Sequence, residues 1–322
     1  MKTYILKRFL HMIPLLFGIS LLSFIVINLA PGDFLTTMQM NPAISAERIE
    51  TLRREFGLDK PVIVQYLIWL KNIVLHLDFG YSFSRRVPVF AVLKTGMLNT
   101  LLLAGTAALI TWGLAIPLGI VSAVRQYTWV DKLSSFVAFI GLSIPEVFFA
   151  LLMIYFAATT GWFPIGGMRS LDFEYLSPFS KGVDLIRHLF LPALVLGTVP
   201  MASRMRQMRG NLLDVLRADY VTTARAKGLS ERVVVYKHAV RNAINPLITI
   251  FGYTLASLLS GAFLVEVVMS WPGLGRITIE ALFTRDLYLV MGALMMASSL
   301  LILGNLIADL LLAIADPRIS YD

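Results

Sequence analysis

Long apolar blocks alternate with short polar ones along this chain, and the blocks have the length a helix needs to cross a bilayer. A hydrocarbon core about 30 Å thick takes roughly 20 helical residues. Phe9–Ala30 is such a run, preceded by Lys2, Lys7 and Arg8. A signal peptide would have about half that apolar length and small residues ahead of its cleavage site; Asn28 before Leu29 and Ala30 fits an uncleaved first helix instead. Asn99–Val124, Leu133–Ala158, Leu247–Met269 and Leu287–Ala315 are the second, third, fifth and sixth spans. The fourth, His188–Ser203, is short and carries Pro192 and Pro200, with Arg187 and Arg204 placed to snorkel at its ends. Six spans are expected, the last stopped by Pro317 in Asp316-Pro317-Arg318.

Two intervening segments have helical signals of their own. In residues 31–98, Ser45 is placed to cap Ala46–Phe56, and Gly57 stands just past its end. Pro61 opens a second helix with an apolar stripe Val62, Tyr66, Leu70, Ile73 and Leu77, broken by Gln65, Lys71, Asn72 and His76. That pattern is amphipathic rather than spanning, and Asp78-Phe79-Gly80-Tyr81-Ser82 reads as a turn. The segment either docks an external partner or caps the bundle. Between spans four and five, Leu213, Leu216, Tyr220 and Ala224 recur at helical spacing, so one helix is expected to continue out of the membrane. It ends in Arg225-Ala226-Lys227-Gly228, with cations in the last turn and glycine where φ > 0 is needed. Ser230 then caps a second short helix, with Glu231 in its first turn, that ends before Pro246.

Composition narrows the class. Of the 322 residues 57% are hydrophobic and only 15% charged, with a mean hydropathy of +0.75. Soluble domains are about a quarter charged, so a soluble enzyme and a disordered chain are excluded. The absence of cysteine removes thiolate metal sites, iron–sulfur clusters and Cys nucleophiles. The net charge of +8 belongs with anionic headgroups rather than nucleic acid. Counted over short loops, fifteen Lys and Arg fall on one side of the six spans and five on the other. The positive-inside bias puts both termini in the cytoplasm and residues 31–98 outside.

The loop after span four carries the motif. Asp219-Tyr220-Val221-Thr222-Thr223-Ala224-Arg225-Ala226-Lys227-Gly228-Leu229, followed by His238-Ala239-Val240-Arg241-Asn242-Ala243 and Pro246, resembles the EAA loop of binding-protein-dependent ABC importer permeases, in the dipeptide/oligopeptide/nickel branch. Thr222-Thr223-Ala224 stands where the broad pattern has Glu-Ala-Ala, so the acidic residue's role does not carry over. Ser270-Trp271-Pro272-Gly273-Leu274-Gly275-Arg276, with Ile279–Leu282 and Arg285-Asp286, is similar to the branch's outer loop. Pro31-Gly32-Asp33, Phe56–Pro61 and Asp316-Pro317-Arg318 agree with it.

The resemblance implies an all-α membrane protein with a MetI-like permease core. Residues 1–30 form an extra first transmembrane helix, 31–98 a small extracytoplasmic helical domain, and 99–322 the five-helix core with a coupling loop at 210–246. It implies a homologous second permease, two cytoplasmic ATPases that bind ATP and Mg and receive the loop in surface grooves, and an external substrate-binding protein. No cofactor is expected in this chain, which lives in the inner (plasma) membrane. Asp219, Tyr220, Thr223 and Leu229 belong to the coupling match, as do His238 and Arg241. Ala224 and Ala226 would leave room for the groove, Gly228 would allow close backbone approach, and Arg225, Lys227 and Arg241 would offer charge at its rim or express the positive-inside bias alone. Arg204, Arg206 and Arg209 are read as headgroup anchors.

Glu146, after Ile144-Pro145, is the clearest intramembrane acid; with Ser143 it either lines the path or meets the partner permease. Asp309 is expected to pair near Asn305 or with a basic loop. His11, His76, His188 and His238 lack metal-ligand spacing, and Met201, Met205 and Met208 share one packing face. No Walker A loop, His-Glu-x-x-His or Gly-x-Ser-x-Gly is present, so the chain is not expected to be an enzyme. Cargo stays open between di- or oligopeptides, nickel chelates and oligosaccharides. A secondary transporter would leave the structured loop unexplained and would show repeated halves; a membrane-embedded enzyme would need paired acids or histidines within spans.

Overall fold

Turn residues and apolar runs set the element boundaries in the computed structural model, which describes residues 2–29, 35–36, 45–55, 57 and 59–315. Pro31-Gly32-Asp33, Phe56 and Leu58 of the next motif, and Asp316-Pro317-Arg318 lie outside the described residues. The helices are α1 (Lys2–Leu29), α2 (Ala46–Glu55), α3 (Val62–His76), α4 (Val89–Val124), α5 (Trp129–Ser143), α6 (Glu146–Thr160), α7 (Pro178–Leu216), α8 (Asp219–Ala226), α9 (Glu231–Val233), α10 (Arg241–Ala243), α11 (Asn245–Val268), α12 (Leu274–Phe283) and α13 (Leu287–Ala315). A small hairpin pairs β1 (Tyr81–Ser82) with β2 (Val87–Pro88), where a turn alone was expected.

Among the described residues, α1, α4, α7, α11 and α13 are long and apolar enough to cross a membrane. The expected third span is instead two helices, α5 and α6, bent by 107°. Proline explains the break: it disfavours the helical region for the residue before it, and Ile144 is extended at φ −82, ψ 123. The fourth span is far longer than its hydrophobic stretch, because α7 begins at Pro178 behind a Ser177 side chain that accepts the Ser180 N–H at 3.2 Å.

The chain divides into two compact units, Met1–Thr100 with Pro272–Ile302 and Leu101–Trp271 with Leu303–Asp322. In the first, Phe24, Tyr66, Trp69, Phe79, Leu93 and Leu289 form the core. The α3 stripe is Tyr66, Trp69 and Ile73; Val62 and Leu77 are exposed, and Leu77 takes the left-handed cap position at φ 53. Trp69 Nε1 donates to the Phe79 carbonyl at 3.1 Å, fixing the chain leaving α3. Asp286 is fully buried and holds the hairpin, accepting from Ser82 Oγ at 2.7 Å, Ser84 N at 2.9 Å and Ser84 Oγ at 2.8 Å.

In the second unit small residues let helices approach. A Cβ at Gly197 of α7 would lie 3.0 Å from the Ala107 carbonyl oxygen, and the Thr111 hydroxyl donates to the Gly197 carbonyl at 3.1 Å. A Cβ at Gly119 of α4 would lie 2.7 Å from Met208 Cβ and 2.8 Å from the Met205 carbonyl oxygen. Met201, Met205 and Met208 are buried, as their shared face anticipates. Gly119→Val is expected to lower the thermal midpoint of the detergent-solubilised chain through an overpacking cost of about 1–3 kcal/mol. Gly113→Ala, with open space at that position, should leave it unchanged or slightly raised.

Candidate functional site

The segment between α7 and α11 is built from short helices. Arg217 caps α7 and Ala218 is extended at ψ 147, so α8 starts afresh at Asp219. The single helix expected through Leu213, Leu216, Tyr220 and Ala224 is therefore two. Gly228 sits at φ +78, the left-handed conformation its place after the last cations calls for. Ser230 precedes α9 as expected, but it is its carbonyl that accepts, from Val233 N at 2.9 Å and Val234 N at 3.1 Å; its hydroxyl makes no cap bond. The chain continues through a π-helical stretch, Val234–Val240, into α10. Ile244 separates α10 from α11, which carries Pro246 in its first turn.

This segment shares a core with the ends of the spans. Val221, Ala224, Val234, Ala239 and Ala243 are buried with Ile120 and Ala123 of α4, Met208 and Leu212 of α7 and Leu247 of α11. Asn211 Nδ2 donates to the Ala243 carbonyl at 3.2 Å, and Asn242 Nδ2 to the Tyr220 hydroxyl at 2.8 Å. Two sequence expectations change here. Ala224 is 7% exposed and packs inward, so it leaves no room on the surface. Arg225 is engaged within the chain: Nη2 reaches Glu231 Oε1 at 2.8 Å, Nε reaches Oε2 at 3.2 Å, and Nη1 reaches the Leu216 carbonyl at 3.4 Å. That guanidinium satisfies a carbonyl at the end of α7, joins α8 to α9, and holds the Glu231 carboxyl below its usual range. Asp219, Tyr220, Thr223, Ala226, Lys227, Gly228, Leu229 and Arg241 are exposed, and His238 is half-buried. Arg232, Tyr236 and Lys237, not singled out by the motif, add to the same exposed surface.

The second candidate is the α5–α6 elbow. Ser143 is exposed and its hydroxyl donates to the Phe139 carbonyl at 2.8 Å. Glu146, half-buried, opens α6, where the helix N-terminus favours a carboxylate; it makes no hydrogen bond or ion pair among the described residues. The third is the loop into α12. Trp271 is fully buried in the second unit's core. In the first unit, the Pro272 carbonyl accepts from Asn99 Nδ2 at 2.9 Å and Leu274 N donates to Thr100 Oγ1 at 2.9 Å. Gly273 leads into α12 and Gly275 is buried in its first turn. Arg276 Nε and Arg85 Nη2 share the Glu280 carboxylate at 2.7 and 2.6 Å.

Sequence reasoning missed a buried ion pair. Arg209 Nε and Nη2 meet Asp131 Oδ1 and Oδ2 at 2.7 and 2.8 Å, so Arg209 is not a headgroup anchor. Arg206 lies over the Phe139 ring at 4.6 Å, and Arg204 Nη1 bonds Gln207 at 3.1 Å. An acid in the first turn of α5 was the available signal for Asp131, yet nothing in its spacing pointed to a partner in α7. Glu146 is also not alone as an intramembrane acid: Glu266 in α11 is fully buried and Asp309 is buried at 6% exposed. His188 is tied to Asp184 through its carbonyl at 2.8 Å. Among the described residues no cluster of three His, Asp or Glu is arranged to hold a metal ion.

Residues 115–321 match the model of the family described as binding-protein-dependent transport system inner membrane component, and residues 1–104 match that of the N-terminal part of such membrane components. The chain is 44% identical over 323 residues to the oligopeptide transport system permease protein AppB of Bacillus subtilis (strain 168), covering 100% of both. It is 36% identical over 339 residues to the dipeptide transport system permease protein DppB of Escherichia coli (strain K12), covering 100% of this chain and 99% of that one. With the di/tripeptide transport system permease protein DppB of Pseudomonas aeruginosa (strain UCBPP-PA14) it shares 37% over 339 residues, at the same coverage. The chain belongs to the inner-membrane component family of binding-protein-dependent transport systems.

The Arg225–Glu231 pair is exposed, so its loss should cost only about 0.2–1 kcal/mol. Glu231→Gln is expected to speed amide exchange across 219–243 by no more than about fivefold near neutral pH. Because the folded carboxyl titrates below its unfolded value, the wild-type pair is present at neutral pH and lost as pH falls through that lowered value. The difference between the two chains should therefore vanish in acid.

Proposed function

We propose that this family member forms half of the translocation pathway of an ATP-driven importer of di- or oligopeptides, with residues 219–243 as its contact to a cytoplasmic ATPase. The reading rests on one observation above all: an exposed surface bearing Lys227, Leu229, Arg232, Tyr236 and Arg241 sits on a core shared with the ends of α4, α7 and α11. A force applied to that surface reaches the ends of those helices directly, because moving the surface alone would open the shared core. The peptide cargo is taken from the names of the full-length relatives.

On this reading a homologous permease completes the pore, two ATPases bind ATP and Mg, and an external binding protein delivers the peptide. Both termini and the 219–243 segment face the cytoplasm, and residues 31–98 and the loop into α12 face outside, following the positive-inside bias. Closure of the ATPases draws the two coupling segments together and tilts the bundles, giving alternating access to the two sides of the membrane. Lys227 and Arg241 meet acidic rims of the ATPase groove, while Arg225 keeps the segment's shape. Ser143 and Glu146 border the path at the α5–α6 elbow, where an unpaired carboxylate is tolerable only beside water, a cargo group or a partner chain.

The decisive experiment reconstitutes the full complex in vesicles with its binding protein and measures ATP-dependent uptake of labelled peptides, with nickel chelates and oligosaccharides as competing cargo. Gly228→Asp is expected to abolish uptake while the chain still reaches the membrane. The folded chain has open space where the new Cβ would lie, and the left-handed φ costs an aspartate only about 1 kcal/mol, so the loss must arise at the partner surface. Retained uptake with normal ATPase co-purification would refute the contact. Glu146→Gln is expected to change the rate or range of peptides carried without altering assembly; wild-type uptake of every peptide tested would remove Glu146 from the path.

A further inference from the structure

Helix α7 has 39 residues, about 58 Å of helix, nearly twice the hydrocarbon thickness. It also has a weak point. Pro200 cannot donate a backbone hydrogen bond and its ring crowds the preceding turn, so the helix is free to bend there. The coupling segment hangs from the end of α7 beyond Pro200. A push on that segment would be absorbed by bending unless the part of α7 beyond Pro200 were held to another element.

It is held to α5, on both sides of the proline. Before Pro200, a Cβ at Gly141 of α5 would lie 3.1 Å from Thr198 Cγ2 and 3.8 Å from the Thr198 carbonyl oxygen, so α5 packs directly on α7 there. Beyond it, Arg209 grips Asp131 with two parallel hydrogen bonds, the fork geometry that fixes direction as well as distance. The Asp131 carboxylate is itself held: Ser122 Oγ from α4 donates to Oδ1 at 2.5 Å and Tyr127 N from the α4–α5 turn donates to Oδ2 at 3.0 Å. Tyr127 adopts φ +66 to aim that N–H, a conformation a tyrosine rarely takes. The carboxylate side chain is 5% exposed, and every donor around it converges from a different element. At its other end, α5 runs directly into the elbow at Ile144 and Pro145.

We propose that Asp131 and Arg209 are positioning residues of the coupling path: they make α5 follow α7, so that displacement of residues 219–243 reaches the α5–α6 elbow instead of being lost in bending at Pro200. This rests on the reading of 219–243 as the ATPase contact. A lysine at 209 keeps the charge but offers a point contact in place of the fork, so the two helices would stay associated yet pivot.

The test uses the complete complex with its binding protein in sealed vesicles and reads peptides accumulated per ATP hydrolysed, alongside complex yield. ATP-dependent uptake by the wild type is established first, and its absence would count against the proposed function, not against the pair. Arg209→Lys and Asp131→Asn are expected to lower peptides per ATP about tenfold while ATP hydrolysis stays within about twofold. A pair that served only folding would lower yield and leave the ratio of the surviving complex unchanged, and that result overturns the proposal. Ser122→Ala removes one bond to Asp131 and leaves the ion pair intact, so it serves where the stronger variants do not assemble. Its expected loss in the ratio is about twofold, and a wild-type ratio there likewise overturns the proposal.

Discussion

The structure depends on a core that membrane helices and a polar segment build together. Alone, helices of eight and three residues do not persist in water. Here they exist because Val221, Val234 and Ala239 bury against Ile120, Met208, Leu212 and Leu247. Full burial of a valine contributes about 1.5 kcal/mol or more, and alanines at 224, 239 and 243 let the backbones come close. The segment's shape is thus dictated by the span ends, and the dependence runs both ways. To shift the segment without the spans, that core would have to open.

Charge placement obeys the same logic of low dielectric. A carboxylate taken largely out of water is tolerated when donors surround it, and the buried Asp131 and Asp286 and the partly buried Asp184 each meet that condition. Asp184 accepts from Ser170 Oγ at 2.5 Å and Ser170 N at 3.1 Å beside His188; Asp286 collects donors from Ser82 and Ser84. Asp184 and Asp286 draw these donors from a turn or hairpin, and Asp131 takes one of its donors, Tyr127 N, from the α4–α5 turn, so each acid fastens irregular backbone to a helix. Glu146 departs from this pattern. It sits half-buried at a helix start with no donor side chain turned toward it, and that difference separates it from the structural acids.

Local chemistry was legible in the sequence where one residue carries its own conformational demand. Gly228 was expected at φ > 0 and takes +78, and Pro61 opens α3. Apolar periodicity likewise located the long helices. What it could not give is whatever a distant partner decides. The α3 stripe shifted to Trp69 because Phe79 offers its carbonyl to the indole, and Arg225 turned toward its own chain because Glu231 and the Leu216 carbonyl converge on it. Asp131 and Arg209 are separated by 78 positions, and neither lies in a run whose spacing announces the other. The hairpin β1–β2 is two residues a side and exists through Asp286 rather than through strand propensity. Glu266 was hidden by its setting, a single acid in a block whose average remained apolar.

The elbow follows from arithmetic as much as from proline. Helices α5 and α6 have 15 residues each, about 22 Å apiece, and neither reaches across a hydrocarbon core of about 30 Å. A break between them leaves backbone carbonyls at the end of α5 and N–H groups at the start of α6 without helical partners. Such groups are not tolerated facing lipid and need protein or a water-filled cavity. Ser143 turns its hydroxyl back to Phe139 and so does not serve them, while Pro145 needs no donor partner at all. The elbow's backbone therefore needs protein or water beside it, independently of Glu146.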